Sequence, residues 1–330
     1  MKKVRFGIVG YGNIGSRHAH HIIENPNAEL VAVASLQEKP DGLNCNYYTS
    51  LEELLDAEQI DVLNVCTPNY LHCAHSIAGL NKGVHIVCEK PMAISTKQSK
   101  QMIAAAEENN KKLFVVKQNR HNPPVAEVKK LLSNNILGKV FVVNINCFWN
   151  RNENYYSQSN WRGSKDKDGG CLYTQFSHFV DILFYLFGDV KVVAGKTKNF
   201  AHAYIETEDS GVFLLETKEG ALVNFNYSTA SYERNMEGAI SILAEHGTVK
   251  IGGQYLNTIE YQKIKDHTIA EINISAKAND YGIYQGSMSN HDLMIQNVID
   301  HLEGKAAMMT NAQEGQDVVS IIERMYAMAK

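Results

Sequence analysis

Three glycines in the segment Gly10-Tyr11-Gly12-Asn13-Ile14-Gly15 have the spacing of a turn that binds the pyrophosphate of a dinucleotide. The segment lies between an apolar run, Val4 to Val9, and a helical pattern. In such a turn the first glycine permits the bend, the second lets the backbone approach phosphate, and the third lets the helix pack on the strand. A plain connection is the alternative. The residues expected to contact the cofactor are Gly10, Gly12, Asn13 and Ile14.

Polar residues follow three later apolar runs, and a doubly wound sheet binds its ligand beyond the carboxyl ends of such strands. They are Ser35, Thr67-Pro68-Asn69 and Glu89-Lys90-Pro91. Lys90 is the most suggestive of them for chemistry, because a lysine directly after a buried strand lies beside the cofactor. The alternative is a solvated lysine in an ordinary turn.

A histidine and an aspartate share one face of the apolar helix that is predicted from Gln175 to Phe187. His178 is a candidate proton acceptor, and Asp181, three residues later, is placed to orient its imidazole ring. The alternatives are a core histidine that hydrogen-bonds to backbone and an aspartate that caps a neighbouring group.

The loop before that helix has two features that suit a nicotinamide ring. Asp168-Gly169-Gly170 gives the backbone freedom, and Trp161-Arg162-Gly163 supplies an aromatic plane and a fixed cation. We expect this loop to cover the cofactor. The alternative is an ordinary exposed loop.

Histidine and cysteine spacing does not indicate a metal site. His18, His20 and His21 cluster in the first predicted helix without a carboxylate or cysteine partner at ligand spacing. The six cysteines form no C-x-x-C pair, and several lie inside apolar runs, as reduced core thiols do. We therefore expect no metal and no disulfide.

The bulk composition excludes several classes of partner. With 330 residues, 44% of them hydrophobic, the chain is long enough for two domains. A formal net charge of -4 and the lack of a long basic run argue against nucleic acid. No apolar stretch is long enough to span a bilayer, and the N-terminus lacks a signal core, so we expect no membrane association and a cytoplasmic location.

The pattern of apolar and polar residues changes near residue 118. Residues 1–118 alternate short apolar runs with helical patterns, which predicts a Rossmann-type, doubly wound parallel sheet. Residues 119–330 contain segments of alternating polarity, such as Val140 to Trp149, which predict a substrate-binding α+β domain with a mostly antiparallel open sheet. A last helix that starts with the box Thr310-Asn311-Ala312-Gln313 is a candidate to pack back on the first domain.

In their order, these motifs resemble the glucose–fructose oxidoreductase and inositol dehydrogenase (Gfo/Idh/MocA) family. The resemblance rests on the glycine turn, Thr67-Pro68-Asn69, Glu89-Lys90-Pro91, and Gly169-Gly170 followed by His178 and Asp181. It covers essentially the whole chain. It implies a nicotinamide-dependent dehydrogenase that acts on a CH–OH group, a cis peptide bond before Pro91, and a homodimer or homotetramer formed through the second-domain sheet.

The resemblance also implies roles for individual residues. His178 would accept the hydroxyl proton and Lys90 would stabilise charge on that oxygen, or the two roles are exchanged. Besides the glycine turn, the expected cofactor contacts are Ser35, Thr67, Pro68, Asn69, His72, Glu89, Lys90, Trp161 and Arg162. The expected substrate contacts are Arg120, Arg151, Tyr155, Thr174, Gln175 and His178.

Two segments are similar to bacterial family members that oxidise the 3-hydroxyl of UDP-N-acetylglucosamine or its uronic acid. They run from Arg151 to Gly163 and from Tyr281 to His291. Arg151 and Arg162 would suit a diphosphate or carboxylate, and the tyrosines a sugar or uracil face. This likeness implies a UDP-linked 2-acetamido sugar as substrate. The alternatives are an inositol or free-sugar dehydrogenase and a glycosidase that uses NAD transiently.

Two positions depart from the family pattern. Ser35 stands where many members carry an acidic residue for the adenosine ribose, so either NAD or NADP is open, with NAD favoured and Lys39 nearby. Thr174 stands where many members place an aspartate, four residues before the active-site histidine. A hydroxyl cannot serve as a carboxylate base, which shifts that task to Lys90 and His178.

Overall fold

The computed structural model of the chain describes residues 2–272, 278–280, 282 and 285–329. The chain divides into two compact units. The first contains Met1–Lys117 with His291–Val319, and the second contains Gln118–Asn290 with Ser320–Lys330. Tyr281, Ile283 and Tyr284, which belong to one of the segments with substrate likeness, lie outside the described residues. No helix in the described ranges is long and apolar enough to cross a bilayer.

The first unit is built on a parallel sheet, as the alternation of apolar runs and helices predicts. Its six described strands are β1 (Val4–Val9), β2 (Ala28–Ala34), β3 (Asn46–Tyr48), β4 (Val62–Val65), β5 (His85–Cys88) and β6 (Leu113–Val115). Their order is β3-β2-β1-β4-β5-β6, and each neighbouring pair is parallel. Side chains of both pleat directions are buried, because helices cover both faces.

The second unit is built on a mostly antiparallel sheet. Its described strands are β7 (Val140–Phe148), β8 (Val190–Lys198), β9 (Ser210–Thr217), β10 (Leu222–Ser228), β11 (Glu237–Ala244), β12 (Gly247–Gly252) and β13 (Thr258–Ile264). A short ribbon of β14 (Ala278–Asp280) and β15 (Gln285–Met288) follows. The order is β13-β12-β11-β7-β10-β9-β8, and β7 and β10 form a parallel pair within it.

One face of this second sheet is core and the other is open. Val223, Phe225 and Tyr227 alternate with more exposed residues along β10 and are at most 1% exposed. Large apolar side chains also stand on the open face, among them Val212 and Leu222. The alternation expected from the sequence therefore places one apolar layer inside and leaves a second one uncovered in the monomer.

The helices of the described residues follow in chain order, together with two short 3-10 turns, Asn69–Leu71 and Gln118–His121. The helices are α1 (Asn13–Glu24), α2 (Leu51–Ala57), α3 (His72–Asn81), α4 (Thr96–Glu108), α5 (Pro123–Ser133), α6 (Glu153–Ser157), α7 (Cys171–Thr174), α8 (Ser177–Phe187), α9 (His291–Leu302) and α10 (Ala312–Met328). α9 packs against α1 in the core of the first unit.

Two predicted helix starts differ from the structure. The helix expected from Gln175 begins at Ser177, because Gln175 and Phe176 form a break between α7 and α8 in which the Gln175 amide hydrogen-bonds to other side chains. The last helix begins at Ala312 because Asn311 is the residue that caps it, accepting a bond from the N–H of Glu314. Thr310 instead donates its hydroxyl to the carbonyl of Val115.

Gly15→Ala should lower the free energy of unfolding by about 1–3 kcal/mol, because the new Cβ would overlap the carbonyl oxygen of Gly10. Gly12→Ala is the matched control, since a Cβ there meets no described atom within 4 Å. Chemical denaturation in the absence of cofactor measures both variants. Equal losses of stability would contradict the close approach of α1 to β1.

Candidate active site

The glycine turn between β1 and α1 leaves open space at its middle glycine. Gly10 has a φ of +89°, and a Cβ there would lie 2.8 Å from backbone atoms of Cys66 and Thr67. A Cβ on Gly15 would overlap the Gly10 carbonyl. The position of a Cβ on Gly12, by contrast, has no described atom within 4 Å. The packing of the protein thus requires the first and third glycines, whereas the second borders free space.

The start of α1 makes that space suitable for an anion. Gly12 is the residue before the helix and offers no side-chain cap, and no acidic residue lies in the first turn. The first N–H groups, which include those of Asn13 and Ile14, therefore remain for a ligand, and the helix dipole attracts negative charge. A dinucleotide pyrophosphate fits such a turn, because it contacts backbone and needs the room that Gly12 leaves.

The predicted strand-end residues lie at the carboxyl edge of the parallel sheet. Ser35 follows β2, Thr67 closely follows β4, and Glu89 follows β5. Pro68 precedes the 3-10 turn that begins at Asn69 and leads into α3. The peptide bond between Lys90 and Pro91 is cis, as the family resemblance implies.

His72 connects two of these strand ends inside the first unit. Its Nδ1 lies 2.7 Å from the carbonyl oxygen of Pro91 and its Nε2 lies 2.7 Å from that of Thr67. Burial lowers the pKa of His72, and the two carbonyl oxygens oppose that shift. The ring is 1% exposed, so the structure assigns its nitrogens to the backbone that shapes the sheet edge.

Glu89 is a buried carboxylate held from three sides. Its Oε1 lies 2.9 Å from Nε2 of His18 and 3.4 Å from Nε2 of His291. Its Oε2 accepts a hydrogen bond of 3.0 Å from the backbone N–H of Lys90. Burial alone would raise the pKa of Glu89, but the two facing imidazoles outweigh it and hold the pKa well below its usual range. An ionised carboxylate therefore fixes the backbone at the lysine expected to act in catalysis.

The three residues directly after β2, Ser35, Leu36 and Gln37, offer no carboxylate for a cofactor ribose. The Ser35 hydroxyl accepts a bond from the N–H of Gln37, and the ammonium of Lys39 donates to the carbonyl oxygen of Cys45. Leu36, between them, is 96% exposed. The cation nearest in sequence to this position is thus already bonded to backbone.

In the second unit, three expected substrate residues form one buried hydrogen-bonded chain. Nε of Arg151 donates to the Gln175 side chain at 2.8 Å, and the Gln175 amide donates to the Tyr155 hydroxyl at 2.6 Å. Arg151 is 1% exposed and also donates to the carbonyl oxygen of Asn150 and the side chain of Asn235. Its guanidinium therefore organises this region from within.

Arg162 lies in the same cluster. Its guanidinium stands 4.3 Å above the ring of Tyr155 and donates to the Tyr155 carbonyl oxygen at 3.0 Å. The neighbouring Trp161 ring lies 5.8 Å from that cation. The structure thus places Trp161 and Arg162, which are expected to contact the cofactor, beside residues expected to contact substrate.

A carboxylate that sequence reasoning did not assign lies beside Thr174. The Thr174 hydroxyl donates to Oδ1 of Asp168, whose Oδ2 accepts a bond of 2.5 Å from the N–H of Gly163. Asp168 is 3% exposed. The sequence predicts that this loop is flexible and covers the cofactor; in the structure its Asp168 also places a carboxylate beside Thr174.

His178 lies near the start of α8, and its helix is anchored by a buried ion pair. The Asp181 carboxylate accepts two hydrogen bonds from Arg120, one of 2.9 Å from Nε and one of 2.7 Å from Nη2. Both partners are at most 5% exposed, and the Arg120 guanidinium also stands 4.8 Å above the ring of Tyr185. Asp181 therefore takes the alternative role predicted for it, that of bonding to a neighbouring group. The guanidinium of Arg120, an expected substrate contact, is largely engaged by protein.

Fold and side chains together define a class. A doubly wound parallel sheet with open space at the middle glycine of its first turn is a dinucleotide-binding architecture. Lysine and histidine, the residue types found at the sheet edge and on the apolar helix α8, are side chains that can transfer protons. The fold and these residue types are those of a dinucleotide-dependent enzyme.

Family models identify the group within that class. Residues 4–117 match the oxidoreductase family model with an NAD-binding Rossmann fold. Residues 125–250 match the GFO/IDH/MocA C-terminal domain. The chain belongs to the Gfo/Idh/MocA family.

Two solved structures resemble the chain over nearly its whole length. The WlbA dehydrogenase from Bordetella pertussis, in complex with NADH and UDP-GlcNAcA, is 35% identical with a TM-score of 0.89, and the match covers 99% of this chain and 97% of that one. WlbA from Chromobacterium violaceum, with the same two ligands, is 32% identical with a TM-score of 0.88, over 100% and 94% of the chains.

The curated relatives of the chain differ in their named activities. A 2,7-anhydro-N-acetylneuraminate hydratase from Mediterraneibacter gnavus is 29% identical over 63% of this chain and 57% of its own length. A glucose-6-phosphate 3-dehydrogenase from Bacillus subtilis is 31% identical over 57% of this chain and 54% of its own. The matches therefore span little more than half of these two relatives.

Arg120→Met should lower the free energy of unfolding by about 3–5 kcal/mol, because it leaves the Asp181 carboxylate buried without its guanidinium. In the double variant Arg120→Met/Asp181→Leu, replacing both charges should recover a large part of that loss. Urea denaturation at neutral pH measures both. A double variant no more stable than Arg120→Met would contradict the assignment of this ion pair.

Proposed function

We propose that the protein is an NAD-dependent dehydrogenase that oxidises the 3-hydroxyl of a UDP-linked 2-acetamido sugar or its uronic acid. The observation that carries the proposal is the likeness, over nearly the whole chain, to two WlbA structures that contain NADH and UDP-GlcNAcA. The cluster of arginine and tyrosine side chains around Tyr155 supports it, since such groups recognise diphosphates, carboxylates and sugar faces.

The chemistry assigned to the chain itself is proton transfer and charge stabilisation. Bound NAD supplies the acceptor for the hydride, which leaves the carbinol carbon with the electrons of the C–H bond. His178 takes the hydroxyl proton, and the O–H electron pair becomes the second bond of the new carbonyl. Lys90 donates to the oxygen while negative charge develops on it. The same balance holds if Lys90 takes the proton and His178 donates.

We also infer a preference for NAD over NADP. A 2′-phosphate needs a cation, and Lys39, the nearest one in sequence after β2, donates to the carbonyl oxygen of Cys45. Ser35 and the exposed Leu36 offer that phosphate no positive charge. The ribose of NAD needs only hydrogen bonds, which a serine hydroxyl can supply.

A second candidate keeps the scaffold but produces no net oxidation. It is favoured by the names of two curated relatives, the hydratase from Mediterraneibacter gnavus and a hydratase from Escherichia coli that is 27% identical over 76% of this chain and 71% of its own length. Such an enzyme would convert its substrate without accumulation of free NADH.

A substrate panel tests the proposed function. Purified protein incubated with NAD should generate NADH with UDP-N-acetylglucosamine or its uronic acid, and at least about tenfold more slowly with NADP, with myo-inositol or with free glucose. The nicotinamide absorbance band gives the rate. Reduction with inositol or glucose alone would favour the free-sugar alternative, and conversion of an anhydro sugar without NADH release would favour the second candidate.

Lys90→Met should lower the rate of hydride transfer by about 10²–10⁴, because the substrate oxygen loses its cationic donor. NADH binding, followed by fluorescence, should change little, since the glycine turn is intact. Lys82→Met is the matched control: Lys82 is an exposed lysine of the same unit, paired with Asp56 at 2.6 Å. Unchanged turnover of Lys90→Met would remove Lys90 from the mechanism.

A further inference from the structure

Three residues that are distant in sequence bring metal-ligating atoms together inside the first unit. They are His18 on α1, Glu89 after β5, and His291 at the start of α9, and each is at most 3% exposed. One ligand atom from each lies within 4.8 Å of the other two. The sequence alone predicts no metal because His18 has no carboxylate near it in the chain, and the fold supplies that partner.

His291 is a buried ring whose nitrogens lack a well-aligned hydrogen bond among the described residues. Neither Nδ1 nor Nε2 has a hydrogen bond among the described residues, although the ring is 0% exposed. Nε2 faces Oε1 of Glu89 at 3.4 Å, which is an electrostatic contact and too poorly aligned for a hydrogen bond. A polar ring left so deep in a protein is costly, and a ligand between it and the carboxylate would remove that cost.

An outer partner for His18 is also in place. The Asn64 side chain lies 2.8 Å from Nδ1 of His18, and Oδ1 of that amide has no hydrogen bond of its own. Rotation of the amide by half a turn would let Oδ1 accept from Nδ1–H. Nε2 of His18 would then present its lone pair toward Glu89, which is the arrangement that metal-bound histidines use.

We propose that His18, Glu89 and His291 bind one divalent transition metal ion of the zinc type. Two imidazole nitrogens and one carboxylate oxygen form a donor set that zinc accepts. The separations of 2.9 and 3.4 Å from Oε1 of Glu89 are close to the ~3.3 Å expected between ligands of a tetrahedral ion. Small side-chain movements would complete the site.

The ion would act as a cross-link within the first unit and would take no part in the redox step. It would join α1, the segment after β5, and α9 through one bond to each. Because Oε2 of Glu89 accepts the N–H of Lys90, the same cross-link would fix the backbone at Lys90. The inference does not depend on the identity of the substrate.

A surface group provides the competing site. His20, His21 and Glu24 also place ligand atoms within 4.8 Å of one another, but His20 and Glu24 are exposed. They form an ordinary helical pair at i and i+4, with 3.2 Å between Nε2 and Oε2. Replacing His20 and Glu24 alone keeps His21, whose ring stacks on His291, and leaves the three buried residues in place, so this double variant serves as a matched control.

The test measures how much zinc the full chain binds. The protein is first made metal-free with a chelator, and zinc is then added back. By equilibrium dialysis with metal analysis, the wild type and the double variant His20→Ala/Glu24→Ala should each bind one zinc ion. His291→Gln should bind it at least about tenfold more weakly. Zinc should raise the melting temperature of the first two proteins, and raise that of His291→Gln less at the same zinc concentration.

A spectroscopic measurement covers the case in which His291→Gln fails to fold. X-ray absorption of zinc bound to His20→Ala/Glu24→Ala should show two imidazoles and an oxygen ligand. Absence of stoichiometric zinc in the wild type would overturn the proposal. So would zinc binding that is lost in His20→Ala/Glu24→Ala and kept in His291→Gln, or a zinc spectrum of the surface variant without imidazole ligands.

Discussion

The backbone contact between Gly15 and the carbonyl of Gly10 governs the first unit. It sets α1 so close to the end of β1 that no side chain fits between them, and it directs the helix N-terminus at the carboxyl edge of the sheet. The strand-end segments after β2, β4 and β5 share that edge. A side chain at position 15 would overlap the Gly10 carbonyl and push the start of α1 away from that edge.

Buried charge is the second organising element, and each unit handles it differently. In the first unit the Glu89 carboxylate faces imidazoles and holds the backbone of Lys90. In the second unit, Arg120 in the 3-10 turn Gln118–His121 forms a two-pronged ion pair with Asp181 on α8, and Arg151 donates to amides and carbonyls. Desolvating these groups is expensive, so such networks contribute little net stability. We interpret them as devices that hold the candidate catalytic and substrate residues in one arrangement.

Short sequence motifs were sufficient to predict much of the fold. The apolar runs, the glycine turn and the strand-end motifs are each encoded within a dozen residues, and the parallel sheet, the mostly antiparallel sheet and the family are confirmed. Contacts between distant segments were out of reach. The break at Gln175 depends on Arg151 and Tyr155, and the partner of Thr174 depends on how a loop folds back. Neither periodicity nor spacing records such meetings. The roles of the individual site residues stay predictions.

The open space at Gly12 has a consequence for how the protein could evolve. Phosphate binding at the glycine turn and the preference between NAD and NADP would depend on different residues. Backbone N–H groups are common to all residues except proline, so a phosphate site made from them does not depend on side-chain chemistry. A change in nucleotide preference would instead fall on the side chains after β2, around Leu36, which is 96% exposed. A few substitutions at these exposed positions could change the cofactor preference without disturbing the buried sheet.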